Sequence, residues 1–317
     1  KRQFGDRPMS IVTFGSVTWD VAAFASRLPK PGETLLGIGY AQGLGGKGAN
    51  QAAAAARLGA ESHFFGRIGQ DPFGKSVKAA FGEFGLDPSG LAEDTEAATA
   101  LGVILIGQDG ENAIIQAPGA NRTVSAADVT RALPAIAKAK AVLLQLEVPL
   151  EATLAAARAA RQAGAWVILD PAPAPQDSLP GSIFMAMDIL TPNEIEAETY
   201  AGFRPMDAES GQAAAQRLVD LGAPTAIVTM GAAGCAWASD TAPSGYLPAF
   251  PVDAIDTVAA GDCFNAALAV ALAEGKPLKP AIHFASAAGA LATTAVGAAA
   301  AAPGRDAVEG VVGNEVR

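Results

Sequence analysis

The sequence is poor in the features that would tie a protein to a metal cluster, a membrane or a nucleic acid. Its two cysteines, Cys235 and Cys263, lie far apart and have no metal-ligand spacing. A disulfide framework is therefore not expected, and a reducing, cytoplasmic setting fits. Positive charge is scarce: 22 Lys and Arg against 32 Asp and Glu leave a net charge of -10. Neither nucleic acid nor an anionic membrane is an expected partner, although an anionic substrate needs only local positive potential. Aromatic residues make up 6% of a chain that is 50% hydrophobic, and Ala dominates that half. The core is thus expected to rest on close helix–sheet contacts and not on large rings. Pro280 to Gly304 contains no Asp, Glu, Lys or Arg, which is long enough to span a bilayer. It is mostly Ala, Gly, Ser and Thr, so its hydrophobic drive is weak, and it reads as a buried helix followed by a small-residue turn. Lys1 to Pro8 is polar and has no apolar signal core. No fixed-period repeat, linker or block of like charge divides the 317 residues, so one domain over 1–317 is expected.

What is present reads as alternating strands and helices. Ser10 to Gly15 is a short apolar run ending in Gly, as a buried strand would be, and Ser16 to Asp20 is a polar cluster just beyond it. Thr34 to Gln42 has β-type residues broken by Gly. Gln51 to Leu58 reads as a helix closed by Gly59, Glu61 to Gly66 as a strand and Asp71 to Phe84 as a helix. Leu101 to Gly107 and Ala113 to Gln116 flank Asp109-Gly110, a hairpin signal. From Ala126 the alternation is regular. Helices 126–137, 150–163, 194–200 and 211–221 are interleaved with apolar strands 141–146, 165–169, 189–190 and 225–230. Strands apolar throughout and separated by helices indicate a mostly parallel sheet covered on both faces, a three-layer αβα sandwich. Residues 34–42 and the 101–116 hairpin are expected to form a small separate β-sheet.

In such a sheet the carboxyl ends of the strands share one edge, where ligands bind. Asp20, Glu147, Asn193 with Glu194 and Glu196, and Gly231 to Gly234 all follow strands. Each alone is more readily a surface group; their common placement suggests a site. Gly43-x-Gly45-x-x-Gly48 matches the dinucleotide fingerprint and precedes a helix. The segment before it is broken by Gly, however, and no acid stands at the end of the next strand, which argues against a dehydrogenase. Lys47 is followed by Gly48 and not by Ser or Thr, so it is not a Walker A loop. A turn carrying backbone N–H groups, Lys47 and Asn50 to a polyhydroxyl ligand fits better.

Asp256-Thr257-Val258-Ala259-Ala260-Gly261-Asp262 joins a loop to an Ala-rich helical run. Small residues there let a ligand approach the unpaired N–H groups of a helix start, with a carboxylate alongside. An anion site beside a base is what phosphoryl transfer to a hydroxyl requires. The competing reading is an ordinary helix start capped by Thr257.

Taken together these segments resemble the ribokinase-like (PfkB-type) carbohydrate kinases. Gly45-Gly46-Lys47-Gly48-Ala49-Asn50-Gln51 looks like the family's N-terminal signature, and Asp256-Thr257-x-x-Ala260-Gly261-Asp262 like its C-terminal one. Thr191-Pro192-Asn193-Glu194-x-Glu196 and Thr229-x-Gly231-x-x-Gly234 match the middle elements. Leu144 to Leu150 and the Asn-Pro-Ala-Pro-like Asp170-Pro171-Ala172-Pro173 resemble its ribose-phosphorylating members.

The resemblance implies an αβα core with a small β lid that covers the sugar and forms a homodimer contact. Asp262 would be the base, and the N–H groups of Ala259, Ala260 and Gly261 the anion hole. Thr18, Asp20, Gly46, Lys47, Asn50 and Glu147 would hold the sugar. Asn193, Thr229, Gly231, Gly234 and Ser286 would line the ATP site, with Glu196 acting indirectly on Mg²⁺. Asp256 and Val258, with the backbone of Ala292, Ala295 and Gly297, would match a K⁺ site. Two departures stand out. Thr18 occupies a position where ribose-phosphorylating members carry Asn, next to the bulky Trp19. That leaves ribose, another pentose, a deoxy sugar or a nucleoside in play, with Trp19 the one candidate slot for a base. Ala298 to Ala302 lacks a hydroxyl that could help the cation. A rival of another class is a non-catalytic sugar sensor on the same scaffold.

Overall fold

The computed structural model describes residues 4, 7–108, 110–174 and 180–314. Asp109 of the hairpin turn and parts of the polar N-terminal stretch fall outside them. The chain opens with β1 (Ser10–Phe14), β2 (Thr18–Ala25) and β3 (Gly39–Gly45), then α1 (Lys47–Arg57), β4 (Glu61–Gly69), α2 (Pro72–Glu83) and β5 (Leu91–Asp94). A hairpin of β6 (Leu101–Gly107) and β7 (Asn112–Ala117) follows. Alternation then sets in: α3 (Ala126–Ile136), β8 (Ala141–Leu144), α4 (Leu150–Gln162), β9 (Trp166–Leu169), α5 (Gly181–Ala186), β10 (Ile189–Leu190), α6 (Glu194–Ala201), α7 (Ala208–Asp220) and β11 (Thr225–Thr229). Strands β12 (Cys235–Ser239) and β13 (Gly245–Leu247) precede α8 (Ala260–Ala273), α9 (Leu278–Ala292) and α10 (Arg305–Asn314).

Nine strands form the main sheet, in the order β13-β12-β11-β10-β9-β8-β1-β4-β5. All pairings are parallel except the two at the β12–β13 edge. Because side chains alternate across a strand, each strand serves both faces. Ile11, Leu143, Ile168, Ile189 and Ile227 pack on one side against Ala-rich α8 and α9. Val12, Val142, Val167, Leu190 and Val228 pack on the other, where residues of α3, α4 and α7 complete the cluster. Every position of α8 from Asp262 to Ala273 is buried, which is why this helix has no polar stripe. No helix among the described residues is long and apolar enough to cross a membrane.

The second sheet has four strands, in the order β3-β2-β6-β7. The polar cluster of Ser16 to Asp20, expected just beyond the first strand, is itself partly a strand of this sheet. From Thr18 onward the chain is a strand, held by antiparallel pairing to β3 and parallel pairing to β6. The strand expected over 34–42 instead runs over Gly39–Gly45, and the helix expected from Gln51 starts at Lys47. Only Gly46 separates that strand from the helix. Its φ of 89° is open to glycine, and a Cβ there would lie 2.8 Å from Val17 Cα.

Candidate active site

The strand ends deliver the expected groups to one edge. Beyond β8 comes Glu147, beyond β9 Asp170, beyond β10 Asn193, and beyond β11 the turn Gly231–Gly234. Opposite them stands the start of α1. It is docked on β1 because the Gly48 N–H reaches Ser16 Oγ at 3.3 Å and the Ala49 N–H reaches the Ser16 carbonyl at 3.0 Å. A Cβ at Gly48 would come within 2.7 Å of that carbonyl.

Glu147 draws these segments together. Its carboxylate accepts from the Ser16 hydroxyl, from the Lys47 N–H at 3.0 Å, and from Gln116 Nε2 of β7 at 3.3 Å. Thr18 and Asp20 share one face of β2, where Thr18 Oγ1 donates to Asp20 Oδ1 at 2.8 Å. Burial, opposed by this bond and helped by the charge of Glu147, raises the Asp20 carboxyl above its usual range. Gly45 and Gly102 flank Asp20 so closely that a Cβ at either would overlap its carboxylate. Trp19 points to the opposite face. It is 9% exposed, packs among Val17, Leu44 and the alanines of α1, and donates Nε1–H to Gln42 at 3.2 Å. It therefore offers no slot for a base; alternation along β2 puts it in the core as surely as it puts Thr18 in the site. A cavity of about 410 Å³ adjoins Thr18, Gln116, Asn121, Arg122 and Glu147, a size suited to a small ligand.

Asp262 is buried. It sits in the first turn of α8, 5% exposed. Asn50 Nδ2 donates to one of its oxygens at 3.0 Å and Gln51 Nε2 to the other at 3.1 Å. Burial pushes its carboxyl up to about 7; the Lys47 ammonium works against that rise and the charge of Asp170 adds to it. Burial likewise raises Asp170 to about 6. Lys47 Nζ lies 3.5 Å from Asp170. Burial alone would pull this ammonium down, but Asp170, Asp262, Glu147 and Glu196 together hold it above the usual lysine range. Gln51, Asp170, Ser16 and Gln116 were not singled out as site residues from the sequence. Three of them carried a signal: Gln51 in the Gly-Ala-Asn-Gln run, Asp170 in the Asp-Pro-Ala-Pro motif and Ser16 in the polar cluster after the first strand.

Thr257 does not cap α8. The N-cap is Ala259, with a left-handed φ of 60°, and no side chain closes the helix. Ala259 is the only non-glycine residue with positive φ among the described residues. Gly261 is exposed at this terminus, and the Ala260 N–H leans on the Thr257 carbonyl at 3.3 Å. By contrast α6 is closed on itself: Asn193 caps it, and Glu196 returns to the Asn193 N–H at 2.7 Å and to its Nδ2 at 3.0 Å. Asn193 also bridges to Thr229, and the Thr229 N–H reaches the Pro192 carbonyl at 3.0 Å. Gly231 and Gly234 both take positive φ, and a Cβ at Gly234 would overlap the Leu247 carbonyl. Ser286 Oγ lies 3.4 Å from Cys235 Sγ, beside this turn. At the other end of the segment, Asp256 accepts from the N–H of Val258 and of Gly297, each at 3.0 Å. The N–H groups of Ile255 and Asp256 both reach the Thr293 carbonyl, one residue past Ala292, so the two loops are pinned together. The structure gives Ala295 only as exposed in that second loop.

This arrangement has counterparts. The sequence matches the pattern of the pfkB family carbohydrate kinases over residues 9–305. It is 40% identical over 296 residues to a ribokinase of Haemophilus influenzae, covering 93% of this chain and 96% of that one. It is 35% identical over 257 residues to a deoxyribokinase of Salmonella typhi, covering 81% and 83%. A crystal structure of Arabidopsis thaliana ribokinase complexed with ribose and ATP superposes with a TM-score of 0.86 at 33% identity, over 96% of this chain and 98% of that one. The chain belongs to the pfkB family of carbohydrate kinases.

Proposed function

We propose that this kinase, a single domain with the four-stranded sheet as its lid, transfers the γ-phosphoryl group of ATP to the primary hydroxyl of D-ribose. The carrying observation is Asp262, a buried carboxylate in the first turn of a helix whose N-terminus no side chain caps, bonded to Asn50 and Gln51 of the Gly-rich segment. Asp262 takes the hydroxyl proton. The N–H groups of Ala259, Ala260 and Gly261 receive the charge of the transferring group, Ala260 by giving up its weak bond to Thr257. Thr18, Asp20, Gly46, Lys47, Asn50 and Glu147 hold the sugar. Asn193, Thr229, Gly231, Gly234 and Ser286 line the nucleotide side.

Bound with ATP, Mg²⁺ would supply charge neutralisation at the phosphates. No cluster of three or more His, Cys, Asp or Glu that would grip a metal directly occurs among the described residues. Glu196 would act on the ion at one remove, through the phosphates and water. Asp256 and Val258, with the backbone of Ala292, Ala295 and Gly297, would hold a monovalent cation; the bonds of Asp256 to the Val258 and Gly297 N–H groups support this, and backbone carbonyls are the ligands such an ion needs. ADP release with Mg-ATP, with and without K⁺, tests both readings. D-Ribose should give the highest kcat/KM, and K⁺ should raise the rate several-fold over Li⁺. A higher kcat/KM for 2-deoxyribose or a nucleoside would reassign the substrate, and no ADP release with any sugar would support a sensor.

The lid carries its own signal. Leu36, Tyr40, Ile114 and Ile115 are 93%, 75%, 60% and 72% exposed on or beside its strands. Exposed apolar groups at both edges of one small sheet offer surface for association, and we assign it to a homodimer. Sedimentation at micromolar concentration should give about twice the 31.8 kDa chain mass; a monomer there would overturn the assignment. A cytoplasmic setting agrees with two free, buried thiols.

A further inference from the structure

We infer that Asp170 is a positioning residue for this transfer: its charge keeps Lys47 from neutralising Asp262, and the amide of Gln51 ties the two carboxylates together. The inference rests on Asp262 being the base.

Asp170 follows β9, with its N–H bound to the Leu144 carbonyl at 2.9 Å and only 5% of its surface exposed. A carboxylate so placed must be paired and hydrogen-bonded. Its partners are Lys47 Nζ at 3.5 Å and Gln51 Nε2 at 3.3 Å. That same Gln51 nitrogen lies 3.1 Å from Asp262, and an amide NH₂ has two hydrogens, one for each acid. The direction of the Gln51 amide is fixed from behind. Gln145 Nε2 donates to Gln51 Oε1 at 2.6 Å, so the carbonyl end is occupied and the NH₂ end faces the carboxylates. Gln145 fits only because residue 15 is glycine: a Cβ there would lie 1.8 Å from Gln145 Oε1. Side chains from three segments thus converge on the Gln51 amide.

The charge of Asp170 has a consequence that a neutral side chain could not produce. Lys47 is the cation of this cluster, and Asp170 takes its ion pair. With a neutral residue at 170 the strongest remaining attraction on the ammonium is that of Asp262, and a base paired to an ammonium is a weaker base. The charged and titratable groups facing the pair are Lys47 of α1, Glu147 beyond β8, and Glu196 and Tyr200 of α6, together with Cys263 beside Asp262 on α8. Tyr200 donates its hydroxyl to the Pro171 carbonyl at 3.0 Å and so stays close to Asp170. Burial raises both carboxyls toward neutrality, which agrees with two acids sharing one cation.

The test is the full chain carrying Asp170→Asn, with kcat, both KM values and the pH dependence of kcat measured on ribose and Mg-ATP. We expect kcat to fall about ten-fold, less than the 10²- to 10⁴-fold for loss of the base itself, with each KM within about two-fold of wild type. The acid limb of the profile should move to lower pH, because a negative neighbour has gone and an ammonium has approached. Gln51→Leu removes a donor from Asp262 while leaving Asp170 in place, so it should lower kcat and move the acid limb to higher pH. A merely structural role for Asp170 would not shift the two variants in opposite directions. Wild-type kcat and an unmoved limb in Asp170→Asn would overturn the inference. If Asp170→Asn does not fold, an unmoved or lowered limb in Gln51→Leu does so instead. Should Asp262→Asn turn over normally, the base assignment itself has failed. Should Asp262→Asn be inactive while Asp170→Asn behaves as wild type, this inference alone has failed.

Discussion

Asp262→Asn is expected to lower kcat by about 10²- to 10⁴-fold, the range for removal of a positioned general base, while ATP still binds. The substitution keeps the volume and one acceptor in a site where Asn50 and Gln51 both donate. What it removes is the ability to take a proton. The nucleotide side, built from Asn193, Thr229 and the glycines of the following turn, does not depend on residue 262 for its hydrogen bonds. ATP affinity by calorimetry should therefore stay within a few-fold of wild type. Near-normal turnover would remove Asp262 from its role. The wild-type pH profile gives an independent check. Asp262 must be ionised to act, and its carboxyl is held up at about 7. Activity should accordingly decline as pH falls through about 7, well above the usual carboxylate range of about 4. A rate flat down to pH 5 would contradict the environment described for this group.

The second large effect is expected at Gly46. Gly46→Ala should lower kcat/KM by about 100-fold, the cost of misplacing a catalytic constellation by about an ångström, and should destabilise the fold by about 1–3 kcal/mol. Two separate costs combine. The backbone there, at φ 89° and ψ 131°, is one that alanine avoids. The added Cβ would also meet main-chain atoms of Val17 and Thr18 at 2.8–2.9 Å, which cannot swing aside as a side chain would. Relief requires moving the start of α1 away from β1, and that displaces Lys47, Asn50 and Gln51 together. Gly43→Ala is the matching control: its Cβ meets nothing within 4 Å and its φ is not positive, so it should be close to silent. Steady-state kinetics and urea unfolding of the pair would read both costs. A Gly46→Ala enzyme within two-fold of wild type would show that the strand-to-helix junction is softer than its geometry implies.

Much of the main sheet was legible in the sequence, because its strands are buried on both faces and so read as unbroken apolar runs. β8, β9, β10 and β11 fall where those runs lie. The close of α1 was legible too: Gly59, just past it, takes a left-handed φ of 88°. β2 was not legible. Its sequence, Thr-Trp-Asp-Val-Ala-Ala-Phe-Ala, carries an acid at its third position and small residues later, so no alternation marks it as a strand. Its pairing with β3 and β6, distant or following segments, makes it one. The same strand settles Trp19, whose neighbours in sequence suggested a place in the site and whose pleat sends it to the core.

The sequence by itself determined the class of the fold, the order of its signatures and the residue types brought to phosphoryl transfer, since these depend on local composition and spacing. Only the tertiary structure decided how the charges are shared. Gln51 and Asp262 stand 211 residues apart and meet through one amide that Asp170 also uses. No local pattern encodes that meeting, because it follows from packing α1 and α8 against the same face of the sheet, beside the strand end that carries Asp170.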